Sequence, residues 1–316
     1  ASPETQRELR VAFWGAIGPH YRDFLKVAPF WMAQRQLAKT VVENLPETNT
    51  LNLLDLGSGT LDNSEMVLDI IGSAKSGQFG HINLIGLDVS SSMIAHAKPI
   101  AEDLRERFPH ASVTLLQADL NKPAWQQDLK SVMHERGAKH FDAVFSNWVL
   151  PYFDPDTQLG VLSSLKSEFV NDEGIIVYSG LTVLPEGKTM RDVLSPYGQQ
   201  QVKAAFRSMK FKNAFEIIKG LKTIEWFGDW TGAENGLFAQ KPRTSDLLGR
   251  ASEVGFVNVK VDDTQLLGAS TIVAARNENG DIKLFQGPLA QAVSQEDFIT
   301  PQEFMQLAND KGFALQ

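Results

Sequence analysis

The chain has 316 residues, 43% hydrophobic and 22% charged, with a net charge of −8 and no cysteine. That length and composition suit a folded protein with one large core, or a core with substantial additions. The acidic balance argues against general nucleic-acid binding, and the lack of thiols excludes disulfides, thiolate metal sites and cysteine nucleophiles.

The first residues, Ala1-Ser2-Pro3-Glu4, carry no basic segment followed by an apolar one. No apolar run approaches the roughly 20 residues of a membrane-spanning helix. The expectation is therefore a cytoplasmic protein with no membrane partner. Residues 4–45 read as helices broken at Gly15-Ala16-Ile17-Gly18-Pro19 and at Pro29. Between the breaks, the segment from Phe13 to Arg22 gathers Trp14, His20 and Tyr21 into a loop. It reads either as a hydrophobic clasp over the core or as an arm closing on a ligand, with His20 or Tyr21 facing it. Residues 1–50 are assigned to an N-terminal helical cap.

Leu51 to Leu54 is apolar without a period, as in a strand buried on both faces, and it runs into Asp55-Leu56-Gly57-Ser58-Gly59-Thr60. Glycine at 57 and 59 permits positive φ and lets a ligand lie against the backbone. From Asn63 onward, Met66, Val67, Ile70 and Ile71 have the spacing of a helix with one buried face. Strand, glycine turn and helix open a nucleotide-binding βαβ unit. A dinucleotide fold wants a third glycine where pyrophosphate meets the helix, and Thr60-Leu61-Asp62 stands there instead. Nor does a Lys-Ser/Thr pair of a P-loop follow. An acidic residue before Gly-x-Gly, with no phosphate to bind, suits a nucleoside carrying a cationic amino acid. The stretch resembles the first motif of class I S-adenosylmethionine-dependent methyltransferases.

Ile82 to Asp88 reads as a second strand ending in a carboxylate, around thirty residues beyond the turn because residues 72–80 form a glycine-rich insertion. Asp88 suits a ribose, since a carboxylate accepts both hydroxyl protons. Its other reading is a cap on the next helix, which Ser90 to Ser92 could supply instead. That helix, Met93 to Phe108, contains Pro99 and should kink or restart there. Val113 to Leu120 is a third strand with Asp119 at its end.

Asp142 to Tyr152 reads as the fourth strand and its exit loop, and is similar to the family's Phe-Asp-x-Val-x-Ser-Asn segment. Asp142 is placed before the strand as a structural residue. Trp148, Val149 and Leu150 separate the segment from the Asn-Pro-Pro-Tyr box of base methyltransferases. A helix, Thr157 to Phe169, and a fifth strand, Gly174 to Gly180, follow. Toward the end, a helix at 245–253, Gly255-Phe256 and two strands joined by a short return predict an antiparallel hairpin. This order resembles a Rossmann-like α/β fold with seven strands, mostly parallel with an antiparallel last strand, and helices on both faces.

The core would then comprise 51–180 and 244–276. Residues 181–243 form an insertion after strand five, where Lys188, Arg191, Lys203, Arg207, Lys210, Lys212, Lys219 and Lys222 alternate with aromatics. At the carboxyl edge of the sheet it reads as a helical substrate lid. Its cations are either a solvated face or a lining for an anionic substrate. Residues 277–316 are a C-terminal extension that covers a sheet edge or joins a homodimer, with a capped helix starting near Thr300-Pro301.

The resemblance implies S-adenosyl-L-methionine as cofactor and S-adenosyl-L-homocysteine as product. It implies cofactor contacts from Asp55, Gly57, Ser58, Gly59, Asp88 and Val89. Met93 would lie against the adenine, Asp119 would accept from its amine beside Leu120, and Asn147 and Trp148 would meet the methionine part. Trp14, Arg22 and Tyr152 are candidate substrate contacts. Methyl transfer from a sulfonium is an in-line displacement that needs alignment and exclusion of water. A hydroxyl or carbon acceptor also needs a base. Of six histidines, only His20 in the cap has a route to the substrate, and Tyr21 stands beside it as a second candidate catalytic residue. No histidine or carboxylate cluster has metal-ligand spacing.

The expected function is methylation of oxygen, nitrogen or carbon on a small metabolite. Its alternatives are methylation of a protein or carrier-bound substrate, and a non-methylating protein that binds the same cofactor.

Overall fold

The computed structural model describes residues 3–181, 199, 202–203, 206, 211–231, 244–265 and 270–284. Two helices, α1 (Pro3–Ile17) and α2 (Ala28–Glu43), flank a 3-10 segment, Gly18–Lys26. The alternating core follows: β1 (Thr50–Leu56), α3 (Asp62–Ala74), β2 (His81–Asp88), α4 (Ser91–Arg107), β3 (Ala111–Gln117), α5 (Ala124–Glu135) and β4 (Phe141–Asn147). After a 3-10 turn at Leu150–Tyr152 come α6 (Pro155–Ser164), extended by a π turn to Phe169, and β5 (Val170–Leu181). The chain continues through α7 (Phe211–Thr231), α8 (Thr244–Val254), β6 (Val257–Gln265) and β7 (Ser270–Arg276).

The seven strands lie in the order β3-β2-β1-β4-β5-β7-β6. β1 to β5 pair in parallel, and β7 runs antiparallel to both β5 and β6. The order reverses between β1 and β4, so a crevice opens at their carboxyl ends, where open α/β sheets bind ligands. The unbroken apolar run of β1 has the physical reason expected of it. Leu53 packs with Phe145, Val177 and α2 to α4 on one face, and Leu54 with Val144, Ile176, α5, α6 and α8 on the other.

Several local expectations are corrected. Gly15 lies within α1, and the aromatic stretch expected as a loop is the last turn of that helix plus the 3-10 segment. The break expected at Pro29 is the start of α2, with Pro29 second in the helix, where a missing N–H is harmless. Pro99 does not divide α4 into two elements. Both Pro99 and Ala95, whose carbonyl it frees, lie on the exposed face, where water can satisfy that oxygen. Asp142 is the second residue of β4, where it accepts from Asn52 N–H and Asn171 Nδ2, each at 2.7 Å.

Of the N-terminal elements, α1 and the 3-10 segment contact α4, and α2 packs on α3. α7 packs on the 3-10 segment, and Gly220 permits the approach: a Cβ there would lie 2.4 Å from the Asp23 carbonyl oxygen. Lys203, Lys212, Lys219 and Lys222 are exposed, whereas Lys188, Arg191, Arg207 and Lys210 lie outside the described residues. Ile282 is buried in the core and Asn44 pairs with the Lys283 backbone, while the helix expected near Thr300 lies outside the described residues. Among the described residues, no helix is long and apolar enough to cross a membrane.

Candidate functional site

The turn after β1 is hooked onto the end of β2. Gly57 N–H and Ser58 N–H donate to Leu87 O at 2.7 and 2.9 Å, and Gly59 N–H donates to Asp88 Oδ2 at 2.9 Å. Gly57 and Gly59 have φ of +74° and +51°, the region glycine adopts without penalty. Their surroundings differ. A Cβ on Gly57 would lie 2.3 Å from Val149 Cγ2, while one on Gly59 would meet nothing within 4 Å. Gly57 is therefore fixed by packing against the β4 exit, and Gly59 faces open space. Leu61, at φ +66°, completes the turn into α3.

Three carboxylates converge here. Asp55 is fully buried; its Oδ2 accepts from Ser64 Oγ at 2.7 Å, and its Oδ1 has no partner. Burial pushes its pKa up to about 7, opposed by Ser64 and reinforced by Asp88 and Asp62. Asp62 is pushed up to about 6, chiefly by burial, with Arg22 and Thr60 opposing. Asp88 is raised by burial as well, although Ser90 N–H and Gly59 N–H bond its two oxygens at 2.8 and 2.9 Å. Ser90 in turn caps α4 through Met93 N–H, so ordering the turn and capping the helix are divided between Asp88 and Ser90.

At the far side of the crevice, Val89 is 36% exposed and Met93 is buried. Asp119 lies two residues beyond β3. Its Oδ1 accepts from Asn121 N–H and Nδ2, and its Oδ2 faces Arg7 of α1 at 2.5 Å. Leu120 beside it is buried.

At the end of β4, Asn147 is buried, its Oδ1 accepting from Ser179 Oγ and its Nδ2 without a partner. Trp148 takes φ +56°, rare for a bulky residue. Its N–H reaches Ser179 O and Oγ, its indole Nε1 donates to Ser270 Oγ at 3.0 Å, and Phe30 meets its ring edge-on at 5.4 Å. Buried Ser58 Oγ is a further hydroxyl without a partner.

The N-terminal elements are bonded to the helices that follow β1 and β2. Ser92 Oγ donates to Gly15 O at 2.9 Å. Arg22 Nε stands 3.1 Å from Asp62 Oδ1, and its NH2 donates to Glu65, which also pairs with Arg107. Trp14 packs edge-on between Phe13 and Tyr21. His20 is 66% exposed with Nδ1 3.6 Å from Asp23 Oδ2, so its ring faces outward. Tyr152 lies in the 3-10 turn after β4, and its side chain lies outside the described residues. Thus Asp55, the glycine turn, Asp88, Asn147 and Trp148 share one edge, Asp119 flanks it, and His20 stands apart. Sequence reasoning missed Arg7, Ser64, Ser179 and Ser270, whose roles depend on partners distant in the chain or on ordinary-looking serines. No group of three acidic or histidine side chains among the described residues is arranged to hold a metal ion.

An O-methyltransferase family protein from Burkholderia thailandensis is similar at 16% identity over 87% of this chain and 64% of its own, with a TM-score of 0.50. A "possible exported protein" from Bordetella parapertussis is 15% identical over 78% of this chain and 67% of its own, at TM-score 0.49. PigF, solved with SAH, is 13% identical over 76% and 60%, at TM-score 0.41. No protein-family model and no curated protein matches. The Burkholderia likeness, with the strand order above, establishes the Rossmann-like class I methyltransferase fold. This chain spans less than two thirds of the length of that structure.

Proposed function

We propose that the chain is an S-adenosylmethionine-dependent methyltransferase acting on a small molecule, in the cytoplasm. The observation that carries this reading is a trio of buried polar atoms without hydrogen-bond partners at the ends of β1 and β4 and in the glycine turn between β1 and α3: Asp55 Oδ1, Ser58 Oγ and Asn147 Nδ2. Such atoms are costly unless a ligand completes them. An acceptor carboxylate, a hydroxyl and an amide donor fit a zwitterionic amino acid, and the open ground at Gly59 fits the chain that joins it to a nucleoside.

Asp55 would hold the ammonium, and Asp88, with lone pairs beyond its two backbone bonds, the ribose. Met93 and Val89 would flank the base, with Asp119 and Leu120 at its edge and Trp148 walling the methionine end. When bound, the cofactor supplies an electrophilic methyl group whose thioether leaves without a proton. The chain's own task is to align an acceptor and keep water out. Trp14 and Tyr21 would provide the cap's aromatic wall, and Tyr152 would approach from the β4 exit. Arg22, engaged with Asp62 and Glu65, would contribute by holding the cap shut. His20, with Asp23 behind it, is the proposed base for an acceptor entering at the cap rim, with Tyr21 as its neighbour. The test is turnover: S-adenosylhomocysteine formed from S-adenosylmethionine only in the presence of an acceptor from a metabolite panel, and abolished by Asp55→Ala. No turnover across oxygen, nitrogen and carbon acceptors, despite cofactor binding, would favour a non-methylating role.

One observation favours a protein or carrier-bound acceptor as the second reading. Lys212, Phe215, Lys219 and Lys222 recur at helical spacing and are all exposed, forming a stripe on the outer face of α7, with exposed Phe206 packed against Phe215 at 6.5 Å. A basic stripe with an apolar centre suits an acidic surface. Turnover of a carrier-tethered acceptor that falls with salt and with Phe215→Ala, while the free acceptor is ignored, would decide for it.

A further inference from the structure

Ser179, fully buried on β5, stands opposite Asn147 in the β4–β5 register. Its hydroxyl has two neighbours, and only one has a free choice of polarity. The Trp148 N–H at 3.3 Å can only donate, so Ser179 Oγ accepts there. The serine proton goes to Asn147 Oδ1, with which the hydroxyl is hydrogen-bonded. An inverted amide could donate to the hydroxyl's second lone pair, but it would take away the acceptor of this buried proton, so the bond favours the observed orientation of the Asn147 amide. The carbonyl end is held by β5, and Nδ2, buried and without a partner, is the end left over. Trp148 cannot easily withdraw its N–H, because Ser270 and Phe30 anchor its ring.

Asn147 shares a sheet face with Asp55. Asp55 pairs with Phe145 on the adjacent strand, two residues before Asn147, and alternate residues of a strand point the same way. One strand therefore ends in a free acceptor, Asp55 Oδ1, and its neighbour in a free donor, Asn147 Nδ2. An inverted amide would present two acceptors and suit only a cation. The observed one suits a group carrying both charges.

We infer that Ser179 is a positioning residue, fixing the Asn147 amide so that Nδ2 donates to the α-carboxylate of the bound ligand while Asp55 takes its ammonium. This rests on the cofactor reading above. The consequence is selective: Ser179 matters only for ligands that carry the amino-acid end.

The test is calorimetric titration of the full chain with S-adenosylhomocysteine and with 5′-methylthioadenosine, which keeps the nucleoside and thioether but lacks the amino acid. Ser179→Ala is expected to weaken S-adenosylhomocysteine about tenfold, the loss of one oriented charge-assisted hydrogen bond, and to leave methylthioadenosine unchanged. Asn147→Asp, replacing the donor by a like charge, should weaken the former at least as much. In an Asn147→Ala background, Ser179→Ala should add nothing, because the two residues act as one. Equal weakening of both ligands, an unchanged affinity for S-adenosylhomocysteine, or additive losses in the double variant would each overturn the inference. If the wild-type chain bound neither ligand, the cofactor reading itself would fall; wild-type binding with an indifferent Ser179→Ala would sink only this one.

Discussion

Arg7 of α1 and Asp119 beyond β3, 112 residues apart, meet at 2.5 Å across the edge of the crevice. At the other end, Arg22 stands on Asp62. The N-terminal segment is thus pinned to two carboxylates, Asp62 and Asp119, and the latter is proposed to receive the adenine amine.

Arg7→Ala should therefore loosen the cap with little effect on the core. The pair is partly exposed, and such pairs contribute about 0–1 kcal/mol, so the melting temperature should barely change. Exchange of ligand should quicken and backbone amides of residues 3–26 should lose hydrogen-exchange protection. Unchanged protection in that segment would show that the ion pair does not hold the cap.

The raised carboxylates make a pH prediction. For Asp55 the folded pKa, about 7, lies above its ordinary value of 3.8, so the folded state binds the proton more tightly than the unfolded state does. Its contribution to stability is full below pH 4 and is lost as pH rises toward 7. Asp62, at about 6, has the same sign. Asp55→Asn should flatten this decline and raise stability at pH 8 by about 1–3 kcal/mol, since an unpaired buried charge is removed. A ligand ammonium reverses the preference, so binding should release a proton and tighten from pH 6 to pH 8. Titrations in buffers of different ionisation enthalpy would measure that proton, and none released would remove Asp55 from the ligand.

The two turn glycines should behave differently when replaced by alanine. Gly57→Ala combines a positive φ with a Cβ driven into Val149 and should cost about 2–4 kcal/mol of stability. Gly59→Ala carries only the conformational strain, about 1–2 kcal/mol, but its methyl would enter the ground proposed for the ligand. Denaturant unfolding should rank Gly57→Ala as the less stable, and equal losses would mean that Val149 moves aside.

The contrast between Gly57 and Gly59 also marks what could be read from sequence. That both permit positive φ, that β1 is buried on two faces and that a hairpin closes the sheet follow from local spelling, because strand burial and turn chemistry are local properties. Which glycine has room for a Cβ depends on Val149, more than ninety residues away, and nothing near position 57 encodes it. Asp88 was legible as a strand-end carboxylate, yet its bond to Gly59 N–H is a tertiary fact. Arg7 and Ser179 gave no signal, since an arginine on an N-terminal helix and a serine in a strand are common. Pro99 suggested a second element, whereas α4 runs through it with the proline on its exposed face.

The most direct test of the central claim is calorimetric titration of the chain with S-adenosylhomocysteine at pH 8, wild type beside Asp55→Ala. The expected result is saturable one-to-one binding by the wild type, weakened at least about tenfold in the variant through loss of a charged hydrogen-bonding partner. Absence of binding by the wild type, or equal binding by both proteins, would contradict the assignment of this crevice to the cofactor.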